Sequence, residues 1–73
     1  MQEQVSAEMV ASVYSVETEL GVHVEPATTL LVLESMKMEI PVLSESAGTV
    51  TGIRVSAGDV VQEGDVLVVL DLD

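Results

Sequence analysis

The sequence predicts an all-β domain made of two copies of one strand motif, and three observations carry that prediction. Valine dominates the apolar residues, and its stiff β-branched side chain suits strands better than helices. No ten-residue stretch has the apolar spacing of an amphipathic helix. The chain also repeats itself. A shift of 37 residues lays Val13 on Val50, Gly21 on Gly58, Val24 on Val61, Leu30 on Leu67, Val32 on Val69 and Leu33 on Leu70, with Val16 meeting Ile53. Two copies of one long period do not make a solenoid. They imply two similar β-motifs about an approximate twofold axis, with Val13, Val16, Leu30 and Leu33 and their repeat partners sharing one core.

Each element follows from local signals. Val5 to Val16 alternates loosely; Val10, Val13 and Val16 fall three apart, as on a helix, but the valines and nearby Ser and Thr favour strand. Pro26 closes a loop after Val22-His23-Val24. Thr29 to Glu34 is an apolar strand, Ser35 to Met38 a tight hairpin tip, and Glu39 to Leu43 the returning strand. Pro41 donates no ladder hydrogen bond, so that strand belongs at a sheet edge or bulge. Gly48 to Val55 is a strand interrupted by Gly52, Gly58-Asp59 and Gly64-Asp65 are turns, and Val66 to Leu72 is the last strand. The expected organisation is one domain over residues 5–73 behind a short N-terminal tail, residues 1–4. In the repeat frame Leu33-Glu34 matches Leu70-Asp71. The hairpin tip and the two termini are therefore expected at opposite ends.

Composition narrows the function. The length of 73 residues allows one small domain. With 13 acidic residues against 2 basic ones and a net charge of −11, there is no cationic surface for nucleic acid, and anionic membranes repel the chain. The same charge favours a soluble monomer. No cysteine is present, so there is no disulfide framework or Cys-based metal site, which fits a cytoplasmic location. The start, Met1-Gln2-Glu3-Gln4, lacks the features of a signal peptide, and the longest apolar runs are too short to span a bilayer.

Lys37 is the only lysine, set in Glu34-Ser35-Met36-Lys37-Met38-Glu39-Ile40. Soluble surfaces normally carry many lysines. Here the side-chain amine chemistry is concentrated at one position on a turn. Alone, such a residue reads as an ordinary solvated turn lysine. Flanking methionines change that reading, because at a turn Met36 and Met38 cannot both point inward, and an adaptable recognition surface suits them better than a core role.

Glu34-Ser35-Met36-Lys37-Met38 resembles the Glu-Ala/Ser-Met-Lys-Met signature of biotinyl domains, as in the biotin carboxyl carrier protein. Gly48-Thr49-Val50, Val55, Gly58-Asp59-Val60-Val61, Gly64-Asp65 and Leu67 are similar to the second half of that family. The resemblance runs from about Ala7 to Leu72 and is strongest to short free-standing biotinylated proteins. It implies a flattened barrel-sandwich of two four-stranded antiparallel sheets, with the biotinyl lysine on a hairpin turn. It further implies a non-catalytic carrier with covalent biotin on Lys37. A separate biotin protein ligase attaches the biotin and recognises Met36, Met38, Glu34 and Ser35, and the tethered biotin shuttles carboxylate between biotin carboxylase and carboxyltransferase sites. One departure stands out. The family's first half usually carries its own Gly-Asp pairs, whereas this chain has Gly21-Val22 and Ala27-Thr28. Alanine tolerates positive φ poorly, so rearranged or looser turns are expected over residues 20–28.

Two alternatives remain at this level: a lipoyl carrier, whose tip usually reads Asp-Lys-Ala, and a small interaction protein whose lysine is never modified. Other residues read as structural. His23 has no second histidine with which to share a metal, Asp71 and Asp73 belong to a fraying end, and neither Gly-Asp pair has phosphate-loop spacing.

Overall fold

The computed structural model describes all 73 residues. It contains eight strands and no helix: β1 (Gln2–Ser6), β2 (Ala11–Val16), β3 (His23–Val24), β4 (Thr29–Ser35), β5 (Met38–Leu43), β6 (Gly48–Ile53), β7 (Val60–Val61) and β8 (Val66–Leu72). They form two four-stranded antiparallel sheets, ordered β1-β8-β6-β3 and β5-β4-β2-β7. The shift of 37 residues maps the second order onto the first, strand for strand. It also maps the irregularities. The β2–β4 ladder slips between Val13 and Ser15, and the β6–β8 ladder between Val50 and Gly52.

The repeat extends to individual backbone hydrogen bonds that join the halves. Gly58 N donates to Val13 O at 2.8 Å and Val13 N to Asp59 O at 2.8 Å; the partner set is Gly21 N to Val50 O at 2.8 Å and Val50 N to Val22 O at 2.9 Å. Likewise Gly64 N–Ala7 O and Ala7 N–Asp65 O, both 2.8 Å, match Ala27 N–Ser44 O at 2.7 Å and Ser44 N–Thr28 O at 2.8 Å. Each half thus completes the other half's turns, and a single motif would leave these groups unpaired.

The core lies between the sheets. Val13, Leu30, Leu33, Val50, Leu67 and Leu70 are all buried as the repeat predicts, while Val16 and Ile53 are partly buried against them. Burial of aliphatic side chains from both inner faces supplies the main driving force, since no aromatic ring takes part. Pro41 lies on β5, an edge strand, where its missing N–H faces no partner.

Two expectations need correction. Residues 2–4 are not a tail. They pair with β8, with Gln2 opposite Asp71, Glu3 opposite Leu70 and Gln4 opposite Val69. Accordingly the stretch from Val5 to Val16 is not one strand, because Glu8, Met9 and Val10 form a bend between β1 and β2. Nor are the first-half turns rearranged. Ala27 adopts φ +74° where Gly64 has +93°, and Gly21 has +85° where Gly58 has +96°. Thr28 Oγ1 accepts from Glu25 N at 3.1 Å, replacing Asp65 Oδ2, which accepts from Gln62 N at 2.8 Å. The lost contact is at the other turn: Asp59 Oδ2 accepts from Ser56 N at 2.9 Å, and Val22 has no oxygen to offer Glu19.

The body measures 35 × 18 × 17 Å. From the tip, β5 runs back to Leu43, and β6 then starts at Gly48 opposite Leu72, with Asp73 N donating to Ala47 O at 3.2 Å. Leu72 N also donates to Met1 O at 2.7 Å. Both termini therefore sit at the pole opposite the β4–β5 hairpin.

Candidate functional site

The β4–β5 ladder closes on the pair Ser35 opposite Met38, leaving two residues to turn the chain. Met36 (φ +53°) and Lys37 (φ +64°) both have left-handed backbones. Positive φ at both central positions defines a type I′ turn, whose twist matches that of the flanking strands. Asn-Gly is the usual filling. Here two long unbranched side chains occupy it, and the left-handed conformation costs roughly 1–2 kcal/mol for each non-glycine residue. The ladder below holds the turn in place: Glu34–Glu39, Leu33–Ile40 and Val32–Pro41 pair in unbroken register, with Leu33 buried.

The turn directs its side chains into solvent. Met36 is 89% exposed and Met38 59%, so neither fills the core, as the sequence suggests. Lys37 and Glu34 are exposed and Ser35 is half-buried. No carboxylate lies within 4 Å of the Lys37 ammonium; the three close ion pairs of the molecule all involve His23 or the N-terminal amine. The lysine therefore projects without an ion-pair partner from a two-residue turn at one pole. The only other primary amine, that of Met1, lies at the far pole, 3.7 Å from Asp71.

Glu34 and Glu39 face each other across the ladder, directly below the closing pair. Like charges so placed destabilise a hairpin. Fold stability gives no reason for the pair, and of the two only Glu34 belongs to the recognition residues that the family resemblance implies. Its repeat partner, Asp71 opposite the uncharged Gln2, avoids the repulsion.

His23 belongs to the opposite pole. Its Nε2 lies 2.8 Å from Asp73 Oδ2 and its Nδ1 3.2 Å from Glu25 Oε2. The hydrogen bond to Asp73 raises its pKa above the ordinary 6.5; partial desolvation opposes this, and the negative charges of Asp73 and Glu25 add to it. No cluster of ligating side chains suited to a metal ion is present, and His23 serves to tie the C-terminal end to β3.

Such a tip can present one amine for acylation and then hold the acyl group clear of the body. The group implied by the sequence pattern, biotin joined as an amide, fits this arrangement, because the amine is exposed, unpaired and unobstructed.

Comparison with known proteins agrees with this geometry. The profile of the family described as biotin-requiring enzyme matches residues 3–70. A relative in Mycobacterium leprae, the biotinylated protein TB7.3 homolog, is 50% identical over 70 residues, covering 96% of this chain and 99% of its own length. The urea carboxylase of Kluyveromyces lactis contains a domain that superposes with a TM-score of 0.91 at 28% identity, covering 97% of this chain and 6% of that much longer one. The lipoyl domain of the 2-oxoglutarate dehydrogenase complex from Azotobacter vinelandii superposes with a TM-score of 0.75 at 21% identity over 92% of this chain and 95% of its own, a likeness of fold alone. With the hairpin tip, the twofold-repeated sandwich and the profile match spanning almost every strand, the chain belongs to the biotin/lipoyl attachment family described as biotin-requiring enzyme.

Proposed function

We propose that this chain is a biotin carrier domain of a biotin-dependent carboxylase system and that Lys37 is its attachment residue. The observation that carries the assignment is the lone side-chain amine, exposed and without an ion-pair partner, on a two-residue turn between methionines that both stand in solvent. Biotin attached there supplies a ureido nitrogen that holds and releases carboxylate. The chain's own part is mechanical. The type I′ turn fixes the direction in which the Lys37 stem leaves the body. The stem adds reach, and tethering keeps the group at high effective concentration near the partner sites. No titratable group of this chain faces the lysine closely enough to take its proton, so the ligase has to supply the base that frees the amine for attack. Met36 and Met38 offer that ligase an adaptable apolar surface, and Glu34 and Ser35 frame it. The chain carries no catalytic group and acts as a monomer.

Biotin is favoured over the lipoyl group by Met-Lys-Met at the tip and by the biotinylated relative of nearly equal length. The test is Lys37→Arg, with intact mass and streptavidin binding measured after co-expression with a biotin protein ligase. The parent should gain the mass of one biotinyl group. The arginine variant should gain none while its melting temperature stays within a degree or two, because the turn buries almost nothing. Streptavidin binding by the variant, or a lipoyl mass on the parent, would overturn the assignment.

A further inference from the structure

The repeat provides an internal control for what the outer surface of each sheet is for. On the β5-β4-β2-β7 sheet, direct register places Glu39, Glu34, Ser12 and Val60 in one row on the outer face, with Pro41, Val32 and Ser15 in the row behind. At the bulge, Tyr14 stands beside Ser15 and is 54% exposed, and Val60 is 66% exposed. The shift of 37 residues carries the first row onto Gln2, Asp71, Thr49 and His23, the second onto Gln4, Val69 and Gly52, and Tyr14 onto Thr51. The backbones match, but the exposed chemistry does not. Tyr14, Val60 and Pro41 stand where the other sheet has Thr51, His23 and Gln4. At these three positions only the sheet that carries the Lys37 tip exposes large apolar side chains, and it holds the one Tyr of a chain without Phe or Trp.

Core packing does not require this difference, since these side chains point away from the other sheet. Exposed tyrosine is a typical anchor of protein interfaces. The row nearest the tip adds Glu34 and Glu39, whose mutual repulsion a cationic partner would relieve. Strand spacing makes the first row roughly 14 Å wide, enough for a contact patch continuous with the tip that any acceptor enzyme must reach.

We infer that the outer face formed by Tyr14, Val32, Pro41 and Val60, edged by Glu34 and Glu39, is the docking surface for the biotin carboxylase component, which meets it with an apolar patch bordered by Lys or Arg. The inference rests on the biotin-carrier reading. The ligase meets the tip once, whereas the carboxylase re-engages the carrier at every turnover, where a dedicated surface lowers the concentration needed; a carboxyltransferase whose rate falls with these variants while ATP-dependent carboxylation holds overturns the assignment and takes the face instead.

The experiment exchanges each residue for its repeat partner in the biotinylated chain: Tyr14→Thr, Pro41→Gln and Val60→His together, with Tyr14→Thr alone as the variant safest for folding. Intact mass confirms loading, and thermal melting confirms the fold. Three rates are then measured: biotinylation by the ligase, ATP-dependent carboxylation by the source organism's biotin carboxylase component, and carboxyl transfer by its carboxyltransferase. The triple variant should raise KM in carboxylation roughly ten- to a hundred-fold with kcat and the biotinylation rate little changed. Tyr14→Thr should account for much of that rise, and Thr51→Val on the opposite sheet for none. Added salt should raise the parent's KM, and less so after Glu39→Gln. An unchanged KM in both variants overturns the assignment, and so does a biotinylation rate that falls while carboxylation holds, which would give the face to the ligase. A chain that never gains the mass of biotin fails one step earlier, in the carrier reading, and takes this proposal with it.

Discussion

The two halves of this molecule share a backbone and differ in side chains at three kinds of place: the turns, the strand starts and the outer faces. The eight main-chain hydrogen bonds by which each half completes the other's turns form four matched pairs, each pair equal within 0.1 Å. What survives divergence of a repeat is thus the set of main-chain pairs that each half completes for the other. The side chains were free to change wherever another group could meet the same backbone demand. Thr28 replaces an aspartate as acceptor, and alanine replaces glycine where two main-chain bonds already pin the turn.

The sharpest way to break the equivalence is at the strand starts, where Gly48 aligns with Ala11. A Cβ built on Gly48 would lie 2.6 Å from the Asp71 carbonyl oxygen and 3.2 Å from Leu72 Cα, both rigid backbone. Gly48→Ala should therefore cost about 1–3 kcal/mol through overpacking. A denaturant titration showing no loss in this variant would mean that the two sheets tolerate the same residue after all.

A smaller effect should separate Ala27 from Gly64. Ala27→Gly relieves a left-handed alanine worth roughly 1–2 kcal/mol but loosens the unfolded chain by about 0.4–1 kcal/mol, so a net gain between about 0 and about 1.6 kcal/mol is expected. Gly64→Ala should lose a similar amount, since its added Cβ meets open space and only φ opposes it. Equal signs for the two substitutions would show that the matching φ angles hide different local strain.

The smallest expected difference is one of pH, between His23 and its counterpart Val60. The folded protein holds the His23 proton more tightly than the unfolded chain does. Its contribution is therefore complete below the ordinary value of 6.5 and is lost as pH rises through the raised folded value. The melting temperature of the parent should fall slightly between pH 6 and pH 8 relative to that of His23→Val. A parallel pH dependence in the two proteins would remove His23 from the account of the C-terminal tie.

Much of this was legible in the sequence because the apolar repeat positions are also the core positions, and because Met36 and Met38 flank the lysine at a predicted turn. What escaped has physical reasons. Gln2-Glu3-Gln4 offers no apolar alternation, since an edge strand with a solvated outer face is defined by its partner β8 and not by its own side chains. Ala27 reads as a poor left-handed residue, and only the hydrogen bonds to Ser44 and from Thr28 to Glu25 show why it is held there. Nor could the opposition of Glu34 and Glu39, or the row joining them to Val60, be known before register was fixed.

Because the chain enters and leaves at one pole and presents Lys37 at the other, the whole sandwich works as a lever. A hinge at the foot, however small its rotation, sweeps the lysine through an arc whose radius approaches the 35 Å length of the body. Two ends that lie side by side also let such a unit be spliced into a host chain where a surface loop stood. That geometry suits the domain that fills 6% of the urea carboxylase chain as well as the relative that consists of little else. Within a host chain, the reach of such a domain is set by the segment that holds its foot and by the length of the sandwich that carries the tip.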